Sequence, residues 1–121
     1  MINWTNAELE RFLAEDPGGP MVMLNLLRFR PDGGRESYMT YVVQLGTIGA
    51  KYGLEIVYAG DGGRPLVGET GQEWDTVALV RYPSRQAFGD MVRDPDYLAM
   101  EYLRTEALIE MVLQPTVPLY G

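Results

Sequence analysis

The stretch that decides the fold covers residues 74–97 and reads WDTVALVRYPSRQAFGDMVRDPDY. Thr76–Tyr82 is a nearly unbroken run of β-branched, aliphatic and aromatic residues, which predicts a buried strand. Pro83 cannot donate to a strand ladder, so the strand should end there. Ser84 is then a good N-cap, and Asp94 followed by Pro95 repeats the signal for a second helix. The stretch therefore predicts a strand, a corner and two successive helical pieces.

The segments on either side complete an α+β pattern. Thr5 and Glu8 have the spacing of a capping box, which predicts a short amphipathic helix at residues 5–14. Further strands are predicted at residues 21–29, 54–59 and 108–113, a long amphipathic helix at 36–52, and helical pieces from Ser84 to about residue 105. The order is an N-terminal helix followed by βαββαβ, which is the ferredoxin-like pattern with an antiparallel sheet. Composition and length predict a single domain over residues 1–121.

The first strand, MVMLNLLRF at residues 21–29, is apolar on both faces, and Val77 and Leu79 repeat this on the third strand. A sheet with helices on one side leaves its other face bare, and an exposed apolar face of this size normally marks an interface. We therefore expect a homodimer that packs sheet against sheet, as in a dimeric α/β barrel. The alternative is that the N-terminal helix covers this face, but about ten residues are too few to cover it fully.

Charge and hydropathy exclude several classes of partner. The net charge is −7 and Lys51 is the only lysine, which argues against nucleic acid and anionic membranes as partners. No apolar run approaches the roughly 20 residues of a membrane-spanning helix. The N-terminal sequence lacks a basic region and an apolar signal core, so a cytoplasmic location is expected.

The sequence contains no cysteine and no histidine. Disulfides, thiolate metal sites and cysteine nucleophiles are therefore excluded. Without histidine, the chain also cannot form a Ser-His-Asp triad, a His-ligated zinc site or a proximal haem ligand. The acidic residues are scattered rather than clustered as a Mg²⁺ or Ca²⁺ site requires. We expect neither a metal nor a cofactor.

The first strand, the segments LVRYPSRQAF and DPDY, and the ending LQPT together resemble a family of the dimeric α/β-barrel superfamily. That family is known only as a domain of unknown function, and the resemblance covers about residues 20–116. It implies the ferredoxin-like dimer, and a distant relationship to antibiotic-biosynthesis monooxygenases. The wider superfamily includes cofactor-independent quinone monooxygenases, muconolactone-type isomerases, small cyclases and haem-degrading enzymes, which tend to hold a ligand between sheet and helices.

The resemblance implies a first set of site residues. Haem-degrading relatives carry an asparagine on the first strand, a tryptophan at the end of the third and a histidine on the following helix. Asn25, Tyr82 and Glu101 occupy those places here, and without the histidine haem chemistry is not expected. Asn25 and Tyr82 remain as hydrogen-bond donors to a substrate oxygen. Alternatively, Asn25 is a core asparagine that the backbone or a water satisfies.

Helical spacing adds a second set of site residues. Tyr97, Glu101 and Arg104 recur at i, i+4 and i+7 on the last helix and so share a face. Arg104 could bind a carboxylate or enolate oxygen, and a half-buried Glu101 could act as a general base. The alternative is a surface ion pair between Glu101 and Arg104, which would contribute under about 1 kcal/mol.

Aromatic residues are the third candidate set. Trp74 shares the parity of Tyr82 and would form a pocket wall beside it. Tyr58 on the second strand and Tyr41 on the long helix are further candidates for binding a flat, oxygenated ligand. The alternative is that these side chains fill the core or the interface.

Two classes of function follow. The first is a cofactor-independent enzyme of the monooxygenase, isomerase or cyclase type that acts on an oxygenated, cyclic or aromatic small molecule. The second is a non-catalytic binding or sensor protein that uses the same pocket. Catalysis requires a titratable group with a shifted pKa at the ligand, whereas binding requires only shape and hydrogen bonds.

Overall fold

A four-stranded antiparallel sheet forms the centre of the computed structural model, which describes residues 2–120. In chain order the elements are α1 Asn6–Ala14, β1 Met21–Phe29, α2 Gly34–Ala50, β2 Glu55–Asp61, β3 Thr76–Tyr82, α3 Arg85–Arg93, α4 Pro95–Met100, α5 Tyr102–Thr105 and β4 Leu108–Thr116. The sheet order is β2-β3-β1-β4, and all neighbours are antiparallel. This confirms the ferredoxin-like α+β fold with its additional N-terminal helix.

The corner after β3 forms as its sequence predicts. The Ser84 hydroxyl accepts a hydrogen bond from the Ala87 amide at 3.0 Å and begins α3. Asp94 Oδ1 accepts from the Asp96 amide at 2.8 Å and begins α4, with Pro95 in the first turn. Each cap satisfies a helix amide that would otherwise have no partner, and this explains why the helices restart at these positions.

All helices that contribute to the core lie on one face of the sheet, called the inner face here. The Phe88 ring of α3 contacts Phe12 of α1 at 5.5 Å and Tyr82 of β3 at 5.3 Å between ring centroids. Trp4 also contacts Phe88, at 5.8 Å. Helix α1 therefore packs beside α3 and leaves the opposite, outer face of the sheet uncovered by it.

No helix between residues 2 and 120 is long and apolar enough to cross a membrane. The cytoplasmic location expected from the sequence stays a prediction.

Strand β2 contains a bulge that the sequence pattern does not reveal. Ile56 pairs with Val80 but Tyr58 pairs with Leu79, and the register shifts between them. Val80 and Leu79 are consecutive residues of one strand, so their side chains point to opposite faces. Tyr58 therefore lies on the outer face, opposite to Ile56, although strict alternation along β2 would place both on one face.

Strand β4 extends further than predicted, through Pro115 to Thr116. Because β4 is an edge strand, its Pro115 nitrogen can point away from the sheet, where the missing N–H leaves no partner unsatisfied. The prediction that the strand ends before this proline is wrong for that reason.

Two glycines of α2 give a matched test of packing at the start of that helix. A Cβ added at Gly34 would lie 2.5 Å from the carbonyl oxygen of Ala107, whereas one added at Gly46 would meet nothing within 4 Å. Gly34→Ala should therefore lower the free energy of unfolding by about 1–3 kcal/mol. Gly46→Ala should raise it by about 0.5–1 kcal/mol, because alanine is the better helix former. Urea denaturation of both variants tests this, and a stabilised Gly34→Ala would contradict the packing described.

Candidate functional site

A cavity of about 190 Å³, called the inner cavity, lies between the inner face of the sheet and helices α2, α3 and α4. Its floor is a row across the middle of the sheet, in which Asn25 pairs with Ala78 and Ala78 pairs with Ala59. On the next row Met23 pairs with Val80, so larger side chains fill the corresponding space. The two adjacent alanines therefore explain why a cavity forms at this level of the sheet.

Three buried tyrosines form the opposite wall: Tyr38 and Tyr41 from α2 and Tyr97 from α4. The hydroxyl oxygens of Tyr41 and Tyr97 lie 2.9 Å apart and share a hydrogen bond. Burial raises the pKa of Tyr38, Tyr41 and Tyr82 above the ordinary value. These three phenols therefore stay protonated at neutral pH, and each can donate a hydrogen bond but cannot act as a base.

Arg104 of α5 closes one end of the inner cavity and is only 2% exposed. Its Nη1 donates to the carbonyl oxygen of Ile2 at 2.8 Å, and its Nη2 donates to Asn3 Oδ1 at 3.0 Å. The guanidinium also stacks on Trp4, 4.8 Å from the ring centroid. The N-terminal segment is thereby bound across the end of the cavity.

The surroundings of Arg104 keep its guanidinium protonated. Burial acts to lower its pKa, but the nearby Tyr97 and Tyr41 phenols and the Glu101 carboxylate outweigh burial, so the pKa is raised. The nearest Glu101 oxygen lies 3.8 Å from Nη2. No aspartate or glutamate lines the inner cavity within the described residues. Arg104 therefore stays charged and makes the cavity a positively charged site.

Asn25 is half-buried on the floor of the inner cavity. Its Nδ2 donates to the carbonyl oxygen of Met23 at 3.0 Å. Its Oδ1 takes no part in that bond. The side chain therefore makes one local bond and retains an acceptor and a donor hydrogen for a ligand.

The structure brings five of the predicted site residues together around this cavity: Asn25, Tyr41, Tyr82, Tyr97 and Arg104. It adds Trp4, whose place in the wall the sequence does not indicate. Trp4 reaches the cavity because Arg104 binds the N-terminal segment, and a contact between residues about a hundred positions apart leaves no local sequence signal.

Glu101 does not line the inner cavity. It lies at the junction of α4 and α5, where its Oε1 accepts a hydrogen bond from Asn3 Nδ2 at 3.4 Å. The N-terminal segment therefore binds this carboxylate outside the cavity, and its predicted role as a general base has no support in the geometry.

Tyr58 and Trp74 also lie away from the inner cavity. The bulge in β2 turns Tyr58 to the outer face, where it is 57% exposed. Trp74 precedes the first residue of β3, so the alternation of that strand does not apply to it. Its ring lies under the Arg28 guanidinium at 4.6 Å. Neither aromatic ring can therefore serve as a wall of the inner cavity in this arrangement.

A larger groove of about 440 Å³ lies between α1 and β4, and it shares Trp4, Met23, Phe88 and Leu113 with the inner cavity. Its rim carries charged side chains, but Arg11 there is paired with Glu8 and Glu15 at 3.0 and 2.9 Å. The polar groups of the inner cavity are less exposed than the charged side chains of the groove, so the inner cavity is the better candidate site.

Between residues 2 and 120, no group of three or more histidine, cysteine, aspartate or glutamate side chains could hold a metal ion.

The sequence and fold place the chain in a known family. Residues 33–114 match the family described as a domain of unknown function, DUF1330. The chain belongs to this family. A solved protein of unknown function from Rhodopseudomonas palustris is 33% identical with a TM-score of 0.92, over 99% of this chain and 98% of that chain. No curated protein matches this sequence.

More distant solved structures share the fold of this DUF1330 chain. A dimeric ferredoxin-like protein of unknown function from Jannaschia has a TM-score of 0.63 and 10% identity, over 83% of this chain and 100% of that chain. A protein described as a candidate antibiotic biosynthesis monooxygenase from Bacteroides thetaiotaomicron has a TM-score of 0.60 and 17% identity, over 84% and 90%. At these identities the likeness shows the fold alone, and it confirms the predicted ferredoxin-like relationship.

Replacing Asn25 by leucine separates a functional asparagine from a structural one. Because the amide makes a single local bond, Asn25→Leu should leave the free energy of unfolding within about 1 kcal/mol of the wild type, or raise it. Thermal or urea denaturation measures this directly. A loss of about 2–3 kcal/mol would instead mean that Asn25 is a core residue with essential partners.

Proposed function

We propose that this DUF1330 protein is an enzyme that needs no cofactor and acts on a small oxygenated, cyclic or aromatic substrate in the inner cavity. The observation that carries the proposal is the convergence of hydrogen-bond donors with a buried cation: Asn25, Tyr41, Tyr82, Tyr97 and Arg104 line one cavity with apolar walls. Such a set of donors suits a substrate whose oxygen becomes negatively charged during the reaction.

The donors have distinct roles in the proposal. Arg104 supplies a fixed positive charge, and the Tyr41–Tyr97 pair supplies hydroxyl groups in the same water-poor space. Together they would stabilise an enolate or similar oxyanion, an intermediate that isomerisation, cyclisation and oxygenation can share. Tyr82, whose pKa is raised by burial, would keep its proton and donate a hydrogen bond to the substrate oxygen.

The lining offers no side chain that titrates near neutral pH, because it contains only apolar, amide, hydroxyl, phenol and guanidinium groups. Proton removal would therefore depend on an already acidic substrate or on water. This observation favours the second candidate function, a binding or sensor protein without turnover. The two are distinguished by whether a bound compound is converted.

Solved structures with the same fold support the first candidate only at the level of the fold. The solved structure from Bacteroides thetaiotaomicron is described as a candidate monooxygenase, and it shares the sheet and helix arrangement at 17% identity. A fold can host many chemistries, so the argument for catalysis depends on the residues of the cavity.

Tyr82→Phe tests the catalytic role, with Tyr102→Phe as the matched control. Tyr82→Phe keeps the ring that packs on Phe88 and removes only a hydroxyl at the cavity, so the melting temperature should barely change. Tyr102 is 54% exposed and lies outside the cavity. With a panel of lactones, phenols and one-ring quinones followed by absorbance and oxygen uptake, Tyr82→Phe should lower kcat by about tenfold or more, a barrier change near 1.4 kcal/mol. Tyr102→Phe should behave as wild type.

Ligands that raise the melting temperature without being converted would support the binding protein instead. Turnover that is unchanged in Tyr82→Phe would remove Tyr82 from the proposed site.

We also propose that the protein is a homodimer joined through the outer face of the sheet. That face presents apolar side chains from three strands, and they are only half-buried or exposed in the single chain: Val22, Leu24, Leu26, Tyr58, Val77 and Leu79. The helices that pack on the sheet within residues 2–120 lie on the other face. The solved structure from Jannaschia with the same fold is described as dimeric.

An aspartate at Leu24 tests this interface. Light scattering of the wild type should give about 27 kDa, twice the 13.6 kDa of the chain. Leu24→Asp should give monomer or insoluble protein, because a charge buried at an apolar interface is costly. Val43→Asp is the control, since Val43 is 74% exposed on α2. A wild-type monomer at micromolar concentration would contradict the proposed dimer.

A further inference from the structure

We infer that the inner cavity binds a small monoanion, namely a one-ring carboxylic acid in its ionised form. Its carboxylate would accept hydrogen bonds from Arg104 Nε and from the Tyr41–Tyr97 hydroxyl pair, and its ring would lie against the apolar wall. This inference rests on the proposed function in using the same cavity, but it concerns binding and does not require turnover.

The first observation is an unsatisfied donor. Within residues 2–120, only two fully buried side-chain nitrogen or oxygen atoms lack a hydrogen-bond partner, Arg85 Nε and Arg104 Nε. A buried donor without a partner costs about 1–3 kcal/mol, and more when it is charged. The Nη atoms of Arg104 are already bound to Ile2 and Asn3, so the guanidinium is held in one orientation with Nε free. Arg104 lines the inner cavity, so an acceptor that displaced the side chains now covering Nε would remove that cost.

The second observation is a spare hydroxyl hydrogen. The Tyr41 and Tyr97 hydroxyls carry two hydrogens, and the bond between their oxygens uses one of them. The other hydrogen has no acceptor among the residues that the structure describes. Both tyrosines lie close enough to Arg104 to raise its pKa. A carboxylate, which accepts several hydrogen bonds and donates none, matches this combination of donors.

The third observation is charge. The protein has a net charge of −7, yet the cavity lining contains one cation and no carboxylate. Glu101 approaches Arg104 from outside the cavity at 3.8 Å, with its side chain 23% exposed, so it compensates the charge only in part. A buried cation with incomplete compensation favours an anion as its ligand and disfavours an amine.

Size and shape restrict the anion further. A volume of about 190 Å³ is below the roughly 300–1,000 Å³ of pockets for drug-sized ligands, so the cavity suits a single ring. The wall away from Arg104 is apolar, with Val42, Leu45 and Met91. A ligand of three fused rings would not fit without an enlargement of the cavity.

Calorimetric titration with matched ligands tests the inference. Benzoate and benzamide have nearly the same shape, but only benzoate is an anion at pH 7, and benzylamine is a cation. Wild-type protein should bind benzoate at least about tenfold more tightly than benzamide, a difference of 1.4 kcal/mol, and should not bind benzylamine.

Variants then locate the bound carboxylate. Arg104→Lys keeps the charge but removes Nε and its fixed geometry, so benzoate affinity should fall by at least about tenfold. Tyr97→Phe and Tyr41→Phe should each weaken benzoate severalfold and bring its affinity closer to that of benzamide. Arg85→Lys is the matched control, because Arg85 Nε is also unpartnered but lines the α1–β4 groove. It should leave benzoate binding unchanged.

Several results would overturn the inference. If benzamide binds as tightly as benzoate, and Tyr82→Phe or Asn25→Leu weakens both, the cavity remains a ligand site but its preference for anions is refuted. If Arg85→Lys abolishes benzoate binding and Arg104→Lys does not, the anion binds in the α1–β4 groove. If benzoate fails to bind folded wild type, the inference is wrong regardless of any turnover of neutral substrates. If Arg104→Lys does not fold, the inference is still tested by the ratio of benzoate to benzamide affinity in the wild type and by the effects of Tyr41→Phe and Tyr97→Phe on benzoate binding.

Discussion

The burial of the Arg104 guanidinium is the constraint on which the candidate site depends. A charge that is 2% exposed must be compensated by hydrogen bonds and neighbouring charge, or it destabilises the fold. Part of that compensation comes from Ile2 and Asn3, at the opposite end of the chain. The same contacts bring Trp4 onto the guanidinium and close the end of the cavity. The buried guanidinium of Arg104 therefore both orders the N-terminal segment and gives the site its positive charge.

The sheet supplies the other half of the arrangement. Ala59 and Ala78 have short side chains, so the middle of the inner face leaves space above the sheet. Tyrosines from α2 and α4 form the opposite wall without filling that space. An apolar cavity lowers the stability of a fold, so larger side chains that filled this space would raise it. Retention of the cavity with a charged group at its end is typical of a site in which stability is traded for function. The centre of the outer face carries the apolar side chains of Leu24, Leu26, Val77 and Leu79, which fits the proposed association of two copies.

Much of the fold and several residues of the inner cavity could be predicted from the sequence, because these residues lie on regular strands and helices. Strands β1 and β3 have the predicted bounds, since uniform β-branched and apolar runs end at turn residues. Strand alternation places Asn25 and Tyr82 on the inner face. Local periodicity is sufficient wherever the element is unbroken.

The predictions fail where an element is interrupted or where distant segments meet. Tyr58 is displaced by a bulge, and a bulge depends on the pairing of two strands rather than on the sequence of one. Trp74 lies beyond the start of its strand, and Glu101 lies between two helices and binds the N-terminal segment. The contacts of Arg104 with residues 2–4 join the two ends of the chain, so no local pattern indicates them.

The most direct measurement is the ¹H–¹⁵N spectrum of the arginine Nε groups, with Arg104 assigned by its absence from Arg104→Lys. In the free protein the Arg104 Nε–H should be observable and slow to exchange with solvent, because it is buried. Benzoate should shift its proton resonance downfield, as expected when a carboxylate becomes the acceptor, while benzamide at the same concentration should have a much smaller effect. An Arg104 Nε–H that exchanges rapidly in the free protein, or that does not respond to saturating benzoate, would contradict the account of a buried cation that awaits an anionic ligand.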